Sequence, residues 1–291
     1  MHRSFLFIPG NNPAMLQNAD VFGADAVIFD LEDAVSFPEK DAARQLIKSF
    51  FDTLKNPGFS VYVRINAVTS SLGAEDLNAI LSEHVDGIVL PKATVVDIKT
   101  VTKLLETFEM ARNKRKRTSI IPIIETAKAV LEIEAIAQMP RVSGLLLGAE
   151  DLTGDMEIER TETGEEIEYP RAKLAYACKA FGIEAIDTPF TDVYDEDGLE
   201  KDSSHALALG MNAKAVIHPN QIECINRIFS PSRKAIEQAM RIIAADLDAQ
   251  TKHRGVFSLD GKMIDKPVVD RAKKLIQKAE QFGLIGDSYD K

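Results

Sequence analysis

The feature that most narrows what this chain can fold into is an alternation. Eight short aliphatic runs, each ending in polar residues, are separated by amphipathic stretches. The runs read SFLFIPG (4–10), AVIFDLED (26–33), VYVRIN (61–66), DGIVLPK (86–92), SIIPIIET (119–126), SGLLLGAED (143–151), EAIDTPF (184–190) and AKAVIHP (213–219). Continuous apolar strands of this kind suit a parallel sheet covered by helices. Helical periodicity occupies 13–22, 39–51, 95–111, 127–139, 169–181 and 198–209, so a repeating βα unit is expected. Eight units match a closed (β/α)8 TIM barrel, which takes about 250 residues. An open doubly wound sheet is the competing architecture. No GxGxxG follows the first run and no GxxxxGK[ST] occurs anywhere, which weakens the nucleotide-binding version of the open sheet. Residues 1–230 are assigned to the barrel. Residues 231–291 are assigned to a C-terminal helical extension that packs on the barrel or on a neighbouring subunit, with helices over 231–250 and 266–282 joined by HRGVFSLDGKMIDKP.

Charge bounds the partners. With 45 acidic and 35 basic residues the net charge is −10, which argues against nucleic acid or an anionic membrane as a partner. An anionic substrate must then be met by a local arrangement of cations. No apolar run approaches the roughly 20 residues that span a bilayer, and the N-terminus has no signal-peptide layout, so a cytoplasmic protein is expected. Cys178 and Cys224 lie far apart and make neither a metal-ligand spacing nor a disulfide framework.

In a barrel, chemistry sits where strands end and βα loops begin. Those positions here carry Pro9, Gly10, Asn11 and Asn12, then Asp30, Glu32 and Asp33, then Arg64 and Asn66, and Lys92. Around the second half of the rim come Glu125, Glu150 and Asp151, Asp187 and Thr188, and His218. Any one of them is as readily a helix cap, but together they place polar groups at every strand end. Glu125 and Asp151 end adjacent strands, so their carboxylates are able to meet. Two carboxylates with no converging Cys or His set favour a hard, oxygen-seeking cation such as Mg²⁺. Arg64 is the obvious counter-charge, either for a substrate carboxylate or enolate or as a brace to Asp30, Glu32 or Asp33. A Schiff-base alternative has Lys92 and Lys214 as candidates, but Lys214 starts its strand, toward the wrong end, and a substrate clamp explains Lys92 equally well. The basic run 112–117 precedes the fifth strand and reads as a solvated turn on the opposite face. His2, His84, His205 and His253 show no converging partners in sequence; at His218 a buried, hydrogen-bonded imidazole and a catalytic one stay open.

These segments also carry a resemblance. GNNPAM, FDLEDAV followed by Lys40 and Arg44, IIPIIETAKAV, LLLGAEDLTGDM, AKAVIHPNQ and GVFSLDGKMIDKP occur in order over nearly the whole chain. The chain resembles the citrate lyase beta subunit and the related malyl-CoA and citramalyl-CoA lyases, a family of Mg²⁺-dependent barrels. The resemblance implies that Glu125 and Asp151 hold Mg²⁺, that Glu125 also touches substrate, and that Arg64 contacts substrate beside Glu125 and stabilises an enolate. It implies that Asp265, in GKMID, reaches the active site of an adjacent subunit as an acid, so a homotrimer or larger assembly is expected. Pro9, Gly10, Lys40 and Lys92 would line the path of an acyl-CoA or acyl carrier protein thioester. The expected reaction is cleavage of a citryl thioester to oxaloacetate and an acetyl thioester, within a citrate lyase complex or alone. Malyl-CoA or citramalyl-CoA lyase activity, giving glyoxylate or pyruvate, is the alternative, and a non-catalytic acyl-CoA-binding barrel the third reading. His218 departs from the asparagine expected in citrate lyase beta subunits and looks more like the stand-alone, CoA-dependent members.

Overall fold

The structure, a computed structural model, describes residues 1–251 and 257–285. Eight parallel strands close in chain order into a barrel: β1 (Ser4–Pro9), β2 (Ala26–Asp30), β3 (Ser60–Arg64), β4 (Gly87–Leu90), β5 (Ser119–Ile124), β6 (Gly144–Leu147), β7 (Glu184–Asp187) and β8 (Ala213–Val216). β1 pairs with both β2 and β8, which completes the closure. Helices fill the connections: α1 (Pro13–Gln17), α2 (Lys40–Phe51), α3 (Ser71–Ile80), α4 (Val95–Ala111), α5 (Ala127–Leu131), α6 (Ile133–Ala137), α7 (Ala149–Asp155), α8 (Glu168–Phe181) and α9 (Glu196–Leu209). After the barrel come α10 (Ile222–Ile228), α11 (Arg233–Thr251), the hairpin β9 (Phe257–Leu259) and β10 (Lys262–Ile264), and α12 (Lys266–Gln281). The fold is a (β/α)8 TIM barrel, and the competing open sheet is excluded by the closure.

The barrel interior obeys the two-residue period of a strand. Phe5, Ala26, Ile28, Tyr62, Val89, Ile121, Ile123, Leu146, Ile186, Ala213 and Ala215 form one buried cluster drawn from all eight strands. Continuing that parity upward brings Asp30, Arg64, Glu125 and Gly148 to the same interior face at the C-terminal end. The opposite parity faces the helix layer, and Asp187 and Lys214 belong to it. His2 closes the other end, its ring nitrogens within 2.8 Å of Glu184 and 2.9 Å of Ser60. These partners stand 182 and 58 residues away, so barrel closure gives His2 a setting its local sequence does not announce. His205 likewise pairs with Glu168 at 2.7 Å; His253 lies outside the described residues.

Several elements differ from their periodicity. The 127–139 segment breaks at Glu132 into α5 and α6, and 13–22 tightens into α1 followed by a 3-10 turn at Ala19–Val21. The GAED segment does not extend β6: it opens α7, so Glu150 and Asp151 sit in a helix's first turn. The basic run grips the preceding loop, with Arg112 donating to Leu81 O at 3.2 Å and Lys114 to Val85 O at 3.0 Å.

The chain divides into two compact units, His2–Asn226 and Arg227–Lys291 with Met1. Within the second, α11 and α12 pack together and Lys273 pairs with Asp246 at 3.5 Å. The expected linker is partly a hairpin, because Asp260 and Gly261 take φ values of 51° and 76°, the left-handed pair that a two-residue turn needs. No helix among the described residues is long and apolar enough to cross a membrane.

Candidate functional site

The site is built from the interior-parity residues above the core. Arg64 and Asp30 are direct neighbours in the β2–β3 register. The Asp30 carboxylate takes Arg64 Nε at 2.7 Å and Nη2 at 2.5 Å, a bidentate grip. Nη1 lies 3.1 Å from Glu32 Oε2 and 3.8 Å from Asp33 Oδ2, and the guanidinium stacks over Phe7 at 5.1 Å. Burial alone would depress the guanidinium's pKa, but the Asp30 hydrogen bonds and charge raise it. These contacts, to Asp30, Glu32 and Asp33, are the brace that the sequence offered as one reading of Arg64. Its Nε–Nη2 edge braces the rim, and its Nη1 side faces the more exposed acids. Burial lifts Glu32 to about 7 against the pull of Arg64, and a carboxyl near 7 can both take and release a proton at neutral pH.

Glu125 follows β5 and is buried. Its Oε1 accepts the backbone N–H of Lys92 at 2.5 Å. Pro91 has no N–H to give, so this is the first amide available after β4. Lys92 supplies it by taking a φ of 45°, in the left-handed region. Gly148 supports the other side: a Cβ there would stand 2.7 Å from both Glu125 Cβ and Oε2, so the strand end must be glycine for this carboxylate to occupy its place. Burial raises Glu125 to about 7; the Lys92 N–H opposes the rise while Asp151 and Glu32 add to it. Asp151 lies 3.4 Å from the Lys92 ammonium. Glu125, Asp151, Lys92, Thr126, Glu150 and Asp155 line one recess of about 450 Å³.

The two carboxylates expected to act together thus share a cavity. Among the described residues no group of three or more Asp, Glu, His or Cys converges on a point. A cation here would take two carboxylates and complete its shell from water and substrate, which is how Mg²⁺ is commonly bound. The all-oxygen donors, the charge they accumulate and the space Gly148 leaves for Glu125 fit such an ion.

Other sequence candidates fall elsewhere. Gly10 is buried against Asp30, whose carbonyl a Cβ would meet at 2.6 Å; Pro9 precedes it at the end of β1. Asn12 caps α1, and Asn11 bonds Glu39 at 2.9 Å. Lys40, expected on the path of a thioester carrier, is turned inward: its ammonium donates to Leu31 O at 2.8 Å and Glu32 O at 3.0 Å. Those carbonyls lie beyond the last residue of β2 and also accept from Asn66 Nδ2 and Val35 N. Lys214 faces away from the interior and bonds Asp187 at 2.5 Å and Asp202 at 2.6 Å, so it offers no amine to the rim. Asp187, placed at the rim by sequence, is part of that same outer cluster, with Arg171 at 2.8 Å. Thr188 accepts from Ala149 N at 3.3 Å. His218 is exposed and caps a 3-10 turn rather than being buried. Asp265 is exposed, and its side chain caps α12 by accepting from Val268 N. Sequence reading missed the Lys92 amide and the Gly148 cradle. The Gly before AED was visible, whereas the left-handed lysine leaves no mark in the sequence.

A family model described as HpcH/HpaI aldolase/citrate lyase matches residues 3–219. The chain is 36% identical to citrate lyase subunit beta of Leuconostoc mesenteroides subsp. cremoris, over 98% of this chain and 95% of that one. It is 32% identical to a (3S)-malyl-CoA thioesterase of Cereibacter sphaeroides, over 98% and 97%. Among solved structures it resembles protein CitE from Mycobacterium tuberculosis in complex with magnesium, acetoacetate and coenzyme A, with a TM-score of 0.77, 29% identity, and 95% and 97% of the two chains covered.

Proposed function

The chain belongs to the HpcH/HpaI aldolase/citrate lyase family and is a carbon–carbon lyase; on that premise we propose that it is a Mg²⁺-dependent enzyme that cleaves a citryl thioester to oxaloacetate and an acetyl thioester. The observation that carries this reading is the shared recess of Glu125 and Asp151, with Lys92 against both and Arg64 within electrostatic range of Glu125. Magnesium binding in the CitE structure supports the choice of ion.

In this proposal Glu125 and Asp151 hold the ion, which when bound polarises the hydroxyl and carboxylate of the substrate and lowers the pKa of the alcohol. Glu32 takes the hydroxyl proton. The bond between the carbinol carbon and the methylene breaks, the carbinol becomes the keto group of oxaloacetate, and the bonding pair moves onto the thioester as an enolate. Arg64, held in place by Asp30, donates to that developing oxyanion. An acid returns a proton to the methylene to complete the acetyl thioester. We assign this step to Asp265 of a neighbouring copy in a homo-oligomer, an assignment that rests on the resemblance of the GKMID segment to the citrate lyase beta subunit family. Coenzyme A or an acyl carrier protein is the carrier, and a citrate lyase complex is the setting that the beta-subunit relatives support. A second reading keeps the machinery and changes the substrate to malyl-CoA or citramalyl-CoA; the relatives named malyl-CoA thioesterase favour it.

The test is a panel of citryl, malyl and citramalyl thioesters, assayed with Mg²⁺ and with EDTA while the released keto acid is identified. Oxaloacetate from the citryl thioester, lost with EDTA and in Glu125→Ala, is expected. Glyoxylate or pyruvate would select the second reading. Full turnover in Glu125→Ala would remove the metal-site assignment.

A further inference from the structure

Lys92 touches both carboxylates of the recess by different means. Its amide fixes Glu125 from a backbone conformation that a residue with a side chain adopts only under constraint. Its ammonium lies 3.4 Å from Asp151 Oδ1, with the two side chains 59% and 43% exposed. The first contact is part-buried and made by the backbone. The second faces solvent on a flexible four-carbon stem, so it is exchangeable. Asp151 and Glu32 both act electrostatically on Glu125, so a cation beside Asp151 offsets negative charge gathered at this recess.

Resting on the metal reading above, we propose that Lys92 is a resident counter-cation for Asp151 that a divalent ion must displace, so that its ammonium sets how tightly the site holds metal. A doubly charged ion between Glu125 and Asp151 satisfies the same oxygens more strongly and repels an ammonium a few ångströms away. The exposed stem has open solvent to move into. A lysine that merely braced Asp151 would have the opposite effect, because removing it would leave the ligand less ordered and weaken metal binding. The two roles therefore differ in sign.

Full-length wild type, Lys92→Met, Lys92→Gly, Lys92→Arg and Glu125→Ala are titrated with Mn²⁺, reading free ion by electron paramagnetic resonance. The titrations are run at pH 8.5, above the Glu125 value of about 7, so that protons do not compete. Lys92→Gly suits the positive φ and keeps the amide donor to Glu125, which separates the ammonium from the backbone. Lys92→Met and Lys92→Gly are expected to bind Mn²⁺ roughly two- to fivefold tighter, the scale of an exposed ion pair, and Lys92→Arg to stay near wild type. Either neutral variant folding and binding as weakly as wild type, or more weakly, overturns the displacement role while Glu125-dependent Mn²⁺ binding in wild type leaves the metal site standing. Mn²⁺ binding by Glu125→Ala equal to that of wild type would overturn the metal reading and this inference with it.

Discussion

Glu125 illustrates how one residue's surroundings decide its chemistry. An ordinary glutamate ionises near 4.5, and burial moves this one to about 7. A carboxyl raised in the folded state favours the protonated form there. Its contribution to stability is complete below about 4.5 and disappears as pH rises through 7. Metal-free protein is therefore expected to lose several degrees of Tm between pH 6 and 8, and Glu125→Gln to remove the part of that loss that Glu32, also raised to about 7, does not carry. The same proton competes with the ion, so Mg²⁺ affinity should climb about tenfold per pH unit below 7 and level off above it. Calorimetric titrations across pH 5.5–8.5 measure this directly, and a flat profile would mean that Glu125 is not a ligand. Arg64 shows the complementary case. Its guanidinium was recognisable in VYVRIN, but its brace to Asp30 became visible only when β2 and β3 were paired.

At the scale of elements, strand parity separates function from support. β2, β3 and β5 direct Asp30, Arg64 and Glu125 to the interior, whereas β7 and β8 direct Asp187 and Lys214 outward. There they meet Arg171 of α8 and Asp202 of α9 in a buried network. Burial pushes the Asp202 carboxyl up, but Lys214 and Arg171 hold it below the usual range. Its stabilising contribution is thus present above about 3.8 and fades as pH falls. Removing one partner of such a network strands the remaining charges. Lys214→Met is expected to cost on the order of 3 kcal/mol, seen as a lower urea midpoint, while leaving Mn²⁺ affinity unchanged. A variant as stable as wild type would show that the network is only loosely coupled. A one-residue error in parity would have sent Lys214 into the barrel, and this is why strand ends matter more to such assignments than strand existence.

For the whole molecule, the barrel unit and the C-terminal unit carry different parts of the proposed reaction. Glu125, Asp151 and Arg64 belong to His2–Asn226, and Asp265 to Arg227–Lys291. If neighbouring copies share sites, mixing inactive Asp265→Ala and Glu125→Ala proteins should regenerate roughly a quarter of the sites by random assortment. Activity that stays at the level of the separate variants, in oligomers shown to be mixed, would confine the site to one chain.

The alternation of eight apolar runs with helices determined by itself a parallel sheet with helical crossovers, because a parallel strand buried on both faces must be continuously apolar; the pairing of β1 with β8 decided that the sheet closes. The same logic placed Glu125, Arg64 and Lys92 at strand ends, since polar residues terminate those runs. Tertiary structure alone decided which way each end points and what it meets. The GAED segment turned into α7 and not into more strand, Lys40 was spent on loop carbonyls, and Lys92 adopted a left-handed backbone whose amide completes Glu125. The Lys92–Glu125 contact joins residues 33 apart, and the others depend on chain direction and backbone torsions that no local residue pattern encodes, so they exist only once the chain has folded.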